Sequence, residues 1–137
     1  MKNDKTDNHE QIFWEEIDRL FPDMIKAIAS LSKKSYLSIT NLRTGITWWS
    51  ERAMDYFGMK ENYTIRSMEK ANRKIHPDDV ATFKRGFKER VDGKNLDTAW
   101  EYRIQDGDSY NRFNAMARVL YDEQKQPFII IIRYDNY

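Results

Sequence analysis

Apolar residues recur at helical spacing through residues 10–32. Phe13, Ile17, Leu20 and Phe21 form one stripe; Met24, Ile25, Ile28 and Leu31 form a second. Pro22 lies between them, removes a backbone donor and disfavours helical geometry at Phe21, so the pattern predicts a kink or two short helices. Past Lys33 and Lys34 the period shortens to two. Leu37 and Ile39 alternate with Ser38 and Thr40, residues 41–45 read as a hairpin turn, and residues 46–49 as the returning strand. Ser50 is placed to cap a short helix carrying Ala53, Met54 and Phe57 on one face and stopping at Gly58. Residues 60–74 are polar and weakly periodic, which suggests a short helix with loops. Pro77, Asp78 and Asp79 open a longer helix with the stripe Val80, Phe83, Phe87 and its end at Gly93.

Three strands complete the pattern. Residues 95–105 set Trp100, Tyr102 and Ile104 against Glu101 and Arg103, and Asp106-Gly107-Asp108 is a turn. Residues 110–121 carry Phe113, Ala115, Ala117, Val119 and Tyr121 on one face. After a polar turn, residues 128–134 differ from the rest: Phe128, Ile130 and Ile132 point one way, Ile129 and Ile131 the other. A strand apolar on both faces belongs in the middle of a sheet covered on both sides. The expectation is an α+β domain with a five-stranded antiparallel sheet, residues 35–137. Helices cover one face. The amphipathic helical segment of residues 1–34, or a partner chain, covers the other.

Composition narrows the function. The chain has 137 residues, enough for one domain with a core. Lys and Arg number 23 against 22 Asp and Glu, a net charge of +1 that gives no reason to expect nucleic acid or an anionic membrane as partner. The absence of cysteine excludes disulfides, cysteine-ligated metals and thiol chemistry, and it fits a reducing cytoplasm. No apolar run is long enough for membrane insertion, so a cytoplasmic location is expected.

Several of these segments resemble the PAS superfamily, especially its third sequence subclass. They are Trp49-Ser50 with Ala53 and Phe57-Gly58-Met59; Ile75-His76-Pro77-Asp78-Asp79; Glu101-Tyr102-Arg103-Ile104 with Asp106-Gly107 and Tyr110-Asn111-Arg112-Phe113; and Tyr121-Asp122-Glu123 with Arg133-Tyr134-Asp135. The resemblance covers residues 36–135 and implies the PAS fold with strand order 2-1-5-4-3, which puts the last strand in the centre. It further implies a dimeric sensory or regulatory domain of a bacterial signalling protein, without catalytic activity of its own. A covalently linked output domain, such as a diguanylate cyclase or a histidine kinase, would then follow residue 137. The alternative is a small-molecule-binding domain whose cavity is the whole function.

Candidate site residues follow from the faces. Leu37, Ile39, Trp48, Phe57, Phe83, Trp100, Tyr102 and Phe113 are the candidates for lining an internal ligand cavity. Only one of the adjacent Trp48 and Trp49 can face inward, and the phase of Leu37 and Ile39 leaves open which. Ile12, Phe13, Ile17, Leu20 and Phe21 are the candidates for a homodimer interface. No catalytic or metal-ligating set stands out: helix capping and dipole compensation account for His76, Pro77, Asp78 and Asp79, and a cross-strand ion pair accounts for Glu101 and Arg103. No cofactor is expected. Covalent flavin needs a cysteine, and haem needs a better-placed histidine than His9 or His76.

Overall fold

The computed structural model describes residues 5–65 and 73–136, with side chains from residue 8 onward. The expected helix within residues 60–74 falls largely on residues 66–72, outside the described residues. Of the kink or two helices that Pro22 allowed, the chain forms two helices, α1 (Lys5–Leu20) and α2 (Met24–Leu31). Asp23, after Pro22, takes a left-handed φ of 62° that turns the chain between them. The remaining elements are β1 (Tyr36–Asn41), β2 (Ile46–Trp49), α3 (Glu51–Phe57), β3 (Tyr63–Thr64), a 3-10 turn (Pro77–Asp79), α4 (Val80–Val91), β4 (Trp100–Asp106), β5 (Ser109–Tyr121) and β6 (Pro127–Asn136).

Local chemistry accounts for most boundaries. The Asn41 side chain accepts from the Arg43 amide at 2.9 Å, and Gly45 completes the β1–β2 turn at φ 74°. The Ser50 hydroxyl accepts from the Ala53 amide at 3.3 Å to start α3, and Gly58 ends it at φ 64°. His76 caps the 3-10 turn, its Nδ1 accepting from the Asp78 amide at 3.1 Å. The Asp79 carboxylate serves another purpose: it grips the backbone and guanidinium of Arg103 at 2.8–2.9 Å, tying the start of α4 to β4. Glu101 meets Arg112 on β5 at 3.4 Å, a cross-strand pair that leaves Arg103 to Asp79.

All strands pair antiparallel in the order β3-β2-β1-β6-β5-β4. This is the strand order that the resemblance implied, with six strands where five were expected. The addition is the two-residue β3, too short to show alternation, which pairs with Thr47 and Trp48 at the sheet edge. The last strand, β6, lies between β1 and β5, as its two apolar faces required.

Each face of the sheet has its own core. On one, α3, the 3-10 turn and α4 cover Tyr102, Ile104, Phe113, Ala115, Ala117, Ile130, Ile132 and Tyr134. On the other, Phe13, Ile17 and Ile25 of α1 and α2 are fully buried against Ile39, Phe128 and Ile129 of the same chain. At ~1.5–3 kcal/mol for each large apolar side chain buried, this contact makes the N-terminal helices part of the fold. Two strand-end residues break the expected alternation. Phe128 turns to the N-terminal helices and packs on Phe21, and Tyr121, beyond a register shift at Leu120, is 41% exposed.

Candidate functional site

A cavity of about 160 Å³ lies between the sheet and its cover of α3 and α4. Trp49 of β2, Thr64 of β3, Tyr102 and Ile104 of β4, and Tyr134 of β6 contribute from the sheet. Phe57, Met59, Ile75 and Phe83 close it from above, and the exposed Lys74 lies on its rim. A backbone hydrogen bond of 2.9 Å from His76 to Arg103 and a bridge between Ile75 and Ile104 hold the roof to the edge of β4.

The rings are arranged edge to face. Phe83 meets Tyr102 at 4.9 Å between centroids and Trp49 meets Phe57 at 5.5 Å, whereas Trp49 stacks on Tyr134 at 6.4 Å. Two of the polar atoms on these rings are engaged within the fold: the Trp49 indole donates to Thr64 Oγ1 at 2.8 Å, and the Tyr134 and Ser38 hydroxyls share a hydrogen bond of 3.2 Å. The buried Tyr102 hydroxyl interacts with the nearby Tyr134 hydroxyl and makes no close hydrogen bond among the described residues. Burial holds both tyrosines above their ordinary pKa, so both stay protonated at neutral pH.

Among the expected cavity residues, Phe57, Phe83 and Tyr102 come together on its wall. Trp100 and Phe113 belong to the same apolar cluster but lie beside the cavity. Trp100 packs against Gly86 and the Arg90 guanidinium, one turn apart on α4, and Phe113 packs edge-on against Tyr36 and Tyr56. Leu37, Ile39 and Trp48 face the other way, into the core of the N-terminal helices. The register explains this correction. Ser38 stands opposite both Trp49 and Ile132, so Trp49 shares the cavity face, and Trp48, opposite Ile39, shares the other. Of the interface candidates, Phe13 and Ile17 are buried within the chain, Leu20 and Phe21 pack on the same cluster, and Ile12 is 44% exposed.

Trp49, Ile104, Tyr134, Ile75, Met59, Thr64 and Lys74 line the cavity but were not among the candidates. The period-two patterns of Trp100, Tyr102 and Ile104 and of Ile130 and Ile132 reach Ile104 and Tyr134; Trp49 was the open alternative to Trp48, and the others have no periodic signal. Among the described residues, no group of three or more histidines and carboxylates is placed to hold a metal, and no helix is long and apolar enough to cross a membrane.

An antiparallel α+β sheet with a short helical cover enclosing a small cavity defines the class. The PAS fold family matches residues 46–132, and the chain belongs to it. No curated protein sequence matches the chain. Among solved structures, a sensory box histidine kinase/response regulator from Burkholderia thailandensis is similar at 16% identity and a TM-score of 0.62, covering 80% of this chain and 82% of that one. The N-terminal domain of a diguanylate cyclase with PAS/PAC sensor from Marinobacter aquaeolei is similar at 15% identity and 0.61, covering 74% and 94%. The PAS-B domain of Drosophila melanogaster Cycle, with bound ethylene glycol, is similar at 16% and 0.53, covering 74% and 99%. These likenesses are of fold.

Proposed function

We propose that this chain is a sensory, non-catalytic PAS domain that receives a non-covalent small molecule in its cavity and relays the change to a linked output domain. The cavity carries this reading: an aromatic-lined space of about 160 Å³ in a fold whose opposite face is covered by its own N-terminal helices. β6 connects the two sides, since Tyr134 lines the cavity and Ile129 packs beneath the N-terminal helices. A shift at the cavity therefore has a direct mechanical route to α1. The similar domains from a histidine kinase and a diguanylate cyclase support an output of either kind. Dimerisation belongs to the proposal, through the outer side of the N-terminal helices where Ile12 is 44% and Leu31 89% exposed.

A broad small-molecule screen by thermal shift tests the receptor role. A true ligand at a hundredfold excess over its Kd stabilises the fold by about 2.7 kcal/mol. An empty screen would argue for a pure interaction module. Light scattering at micromolar concentration tests the dimer, which a strict monomer would refute.

A further inference from the structure

The cavity is walled unevenly. Ile75, Phe83, Tyr102 and Ile104 are at most 4% exposed, so the described residues close it on the side of α4 and β4. Phe57 and Met59, at and just past the end of α3, are only half-buried, and Lys74 across from them is exposed. A second space begins there. A polar groove of about 360 Å³ runs between the end of α3, at Asp55 to Gly58, and the β4–β5 turn at Gln105, Asp106 and Gly107, with Lys74 beside it. Phe57 and Lys74 line both the groove and the cavity, so they stand between an apolar interior and a polar surface.

The end of α3 is fixed on one side and open on the other. The Tyr56 hydroxyl accepts from the Asn111 side chain at 3.0 Å, which ties the helix to β5. Past Phe57, no atom of the described residues lies within 4 Å of where a β-carbon on Gly58 would stand. The Phe57 ring meets Trp49 and Tyr56 edge to face, at 5.5 and 5.1 Å between centroids. A change of rotamer at Phe57, with the long Lys74 stem swinging aside, joins the two spaces while the backbone stays in place. We infer that the cavity fills and empties through this groove, with Phe57 as the gate and Lys74 as its movable edge. This deepens the receptor reading above and rests on it.

Xenon, which enters apolar cavities of about this volume, is the probe, and its exchange with the full chain is read by xenon-129 NMR. Asp55→Trp puts a large ring at a groove residue that does not line the cavity. Entry and exit should both slow by about tenfold with the Kd unchanged, because a higher barrier alone moves both rates together. Phe57→Ala removes the gate and should raise the entry rate. Lys84→Trp, at an exposed position of α4 outside the groove, should leave both rates at the wild-type values. Wild-type rates in Asp55→Trp and Phe57→Ala, or equal slowing in Lys84→Trp, would overturn this entrance and leave the receptor reading standing. Should the wild type take up no xenon, a hit from the thermal-shift screen replaces it in the same comparison. If that screen is empty as well, the receptor reading fails and the entrance with it.

Discussion

The two faces of one sheet are covered in opposite ways. On the N-terminal face, aliphatic and aromatic side chains interlock until Phe13, Ile17, Ile25, Ile39, Phe128 and Ile129 have no exposure at all. At the edge of that face, Trp14 donates a buried hydrogen bond of 2.7 Å to the Tyr63 hydroxyl, and at the other end Arg43 joins Glu16 of α1 to Asp122 of the β5–β6 turn. The other face is built from larger rings and shorter helices that meet edge to face and leave a space. The difference lies partly in β1, which presents Leu37 and Ile39 to the N-terminal helices and Ser38 to the cavity side. One face is tightly packed, the other holds a cavity, and β6 is common to both.

This contrast predicts a ranking of mutational effects. Phe13→Ala should cost about 3–5 kcal/mol in urea unfolding, the usual range for emptying a packed aromatic site. Phe57→Ala, at a half-buried site beside existing space, should cost no more than about half of that. Equal losses would break the comparison. Gly86→Ala comes next. A β-carbon there would sit 2.8 Å from two atoms of the Trp100 indole, which the buried Arg90 guanidinium pins at 4.1 Å from its ring. Overpacking should outweigh the helix-propensity gain of alanine and leave a net loss of about 1–2 kcal/mol.

Asp79→Asn probes how the cover is fastened to the sheet and should cost about 1–2 kcal/mol at pH 7. The hydrogen bonds from the Arg103 guanidinium hold the Asp79 carboxyl below its ordinary pKa. Its stabilisation is therefore complete above the unfolded-state value near pH ~4 and is lost as pH falls through the lower folded value. The acid limb of the wild-type stability curve should flatten in Asp79→Asn. Asp122, lowered mainly by the Gln126 and Gln124 amides, leaves part of that limb in place. An unchanged limb would remove Asp79 as a fastening. The smallest effect belongs to Tyr102→Phe, within about 0.5 kcal/mol of wild type, since the hydroxyl it removes makes no close hydrogen bond among the described residues.

The fold was legible where the information is local. Caps at Ser50 and Gly58, the turn at Gly45 and the break at Pro22 depend on residues close in sequence, and the central place of β6 follows from its isoleucines. The cavity was only partly legible because its composition depends on register. Whether Trp48 or Trp49 faces inward is decided by the pairing of Ser38 with Ile132, nearly a hundred residues downstream. Leu37 and Ile39 were misplaced for the same reason: alternation shows that a strand has an apolar face but not which layer covers it. Asp79 looked like a helix-dipole residue, and only the fold brings Arg103 within its reach. The packing of Trp100 on Gly86 and Arg90 is likewise a tertiary contact with no local signature.

The central claim is that the proposed ligand enters the cavity face of the sheet and not the face covered by the N-terminal helices, and the tryptophan indole N–H signals in a nitrogen-15 NMR spectrum test it most directly. Trp49 donates its indole N–H to Thr64 on the cavity wall, and Trp14 donates its own to Tyr63 on the opposite face. On titration with a ligand found in the thermal-shift screen, the Trp49 signal should shift strongly and saturably while the Trp14 signal stays close to its starting position. A saturable shift of Trp14 with Trp49 unmoved would place binding on the wrong face and contradict the account.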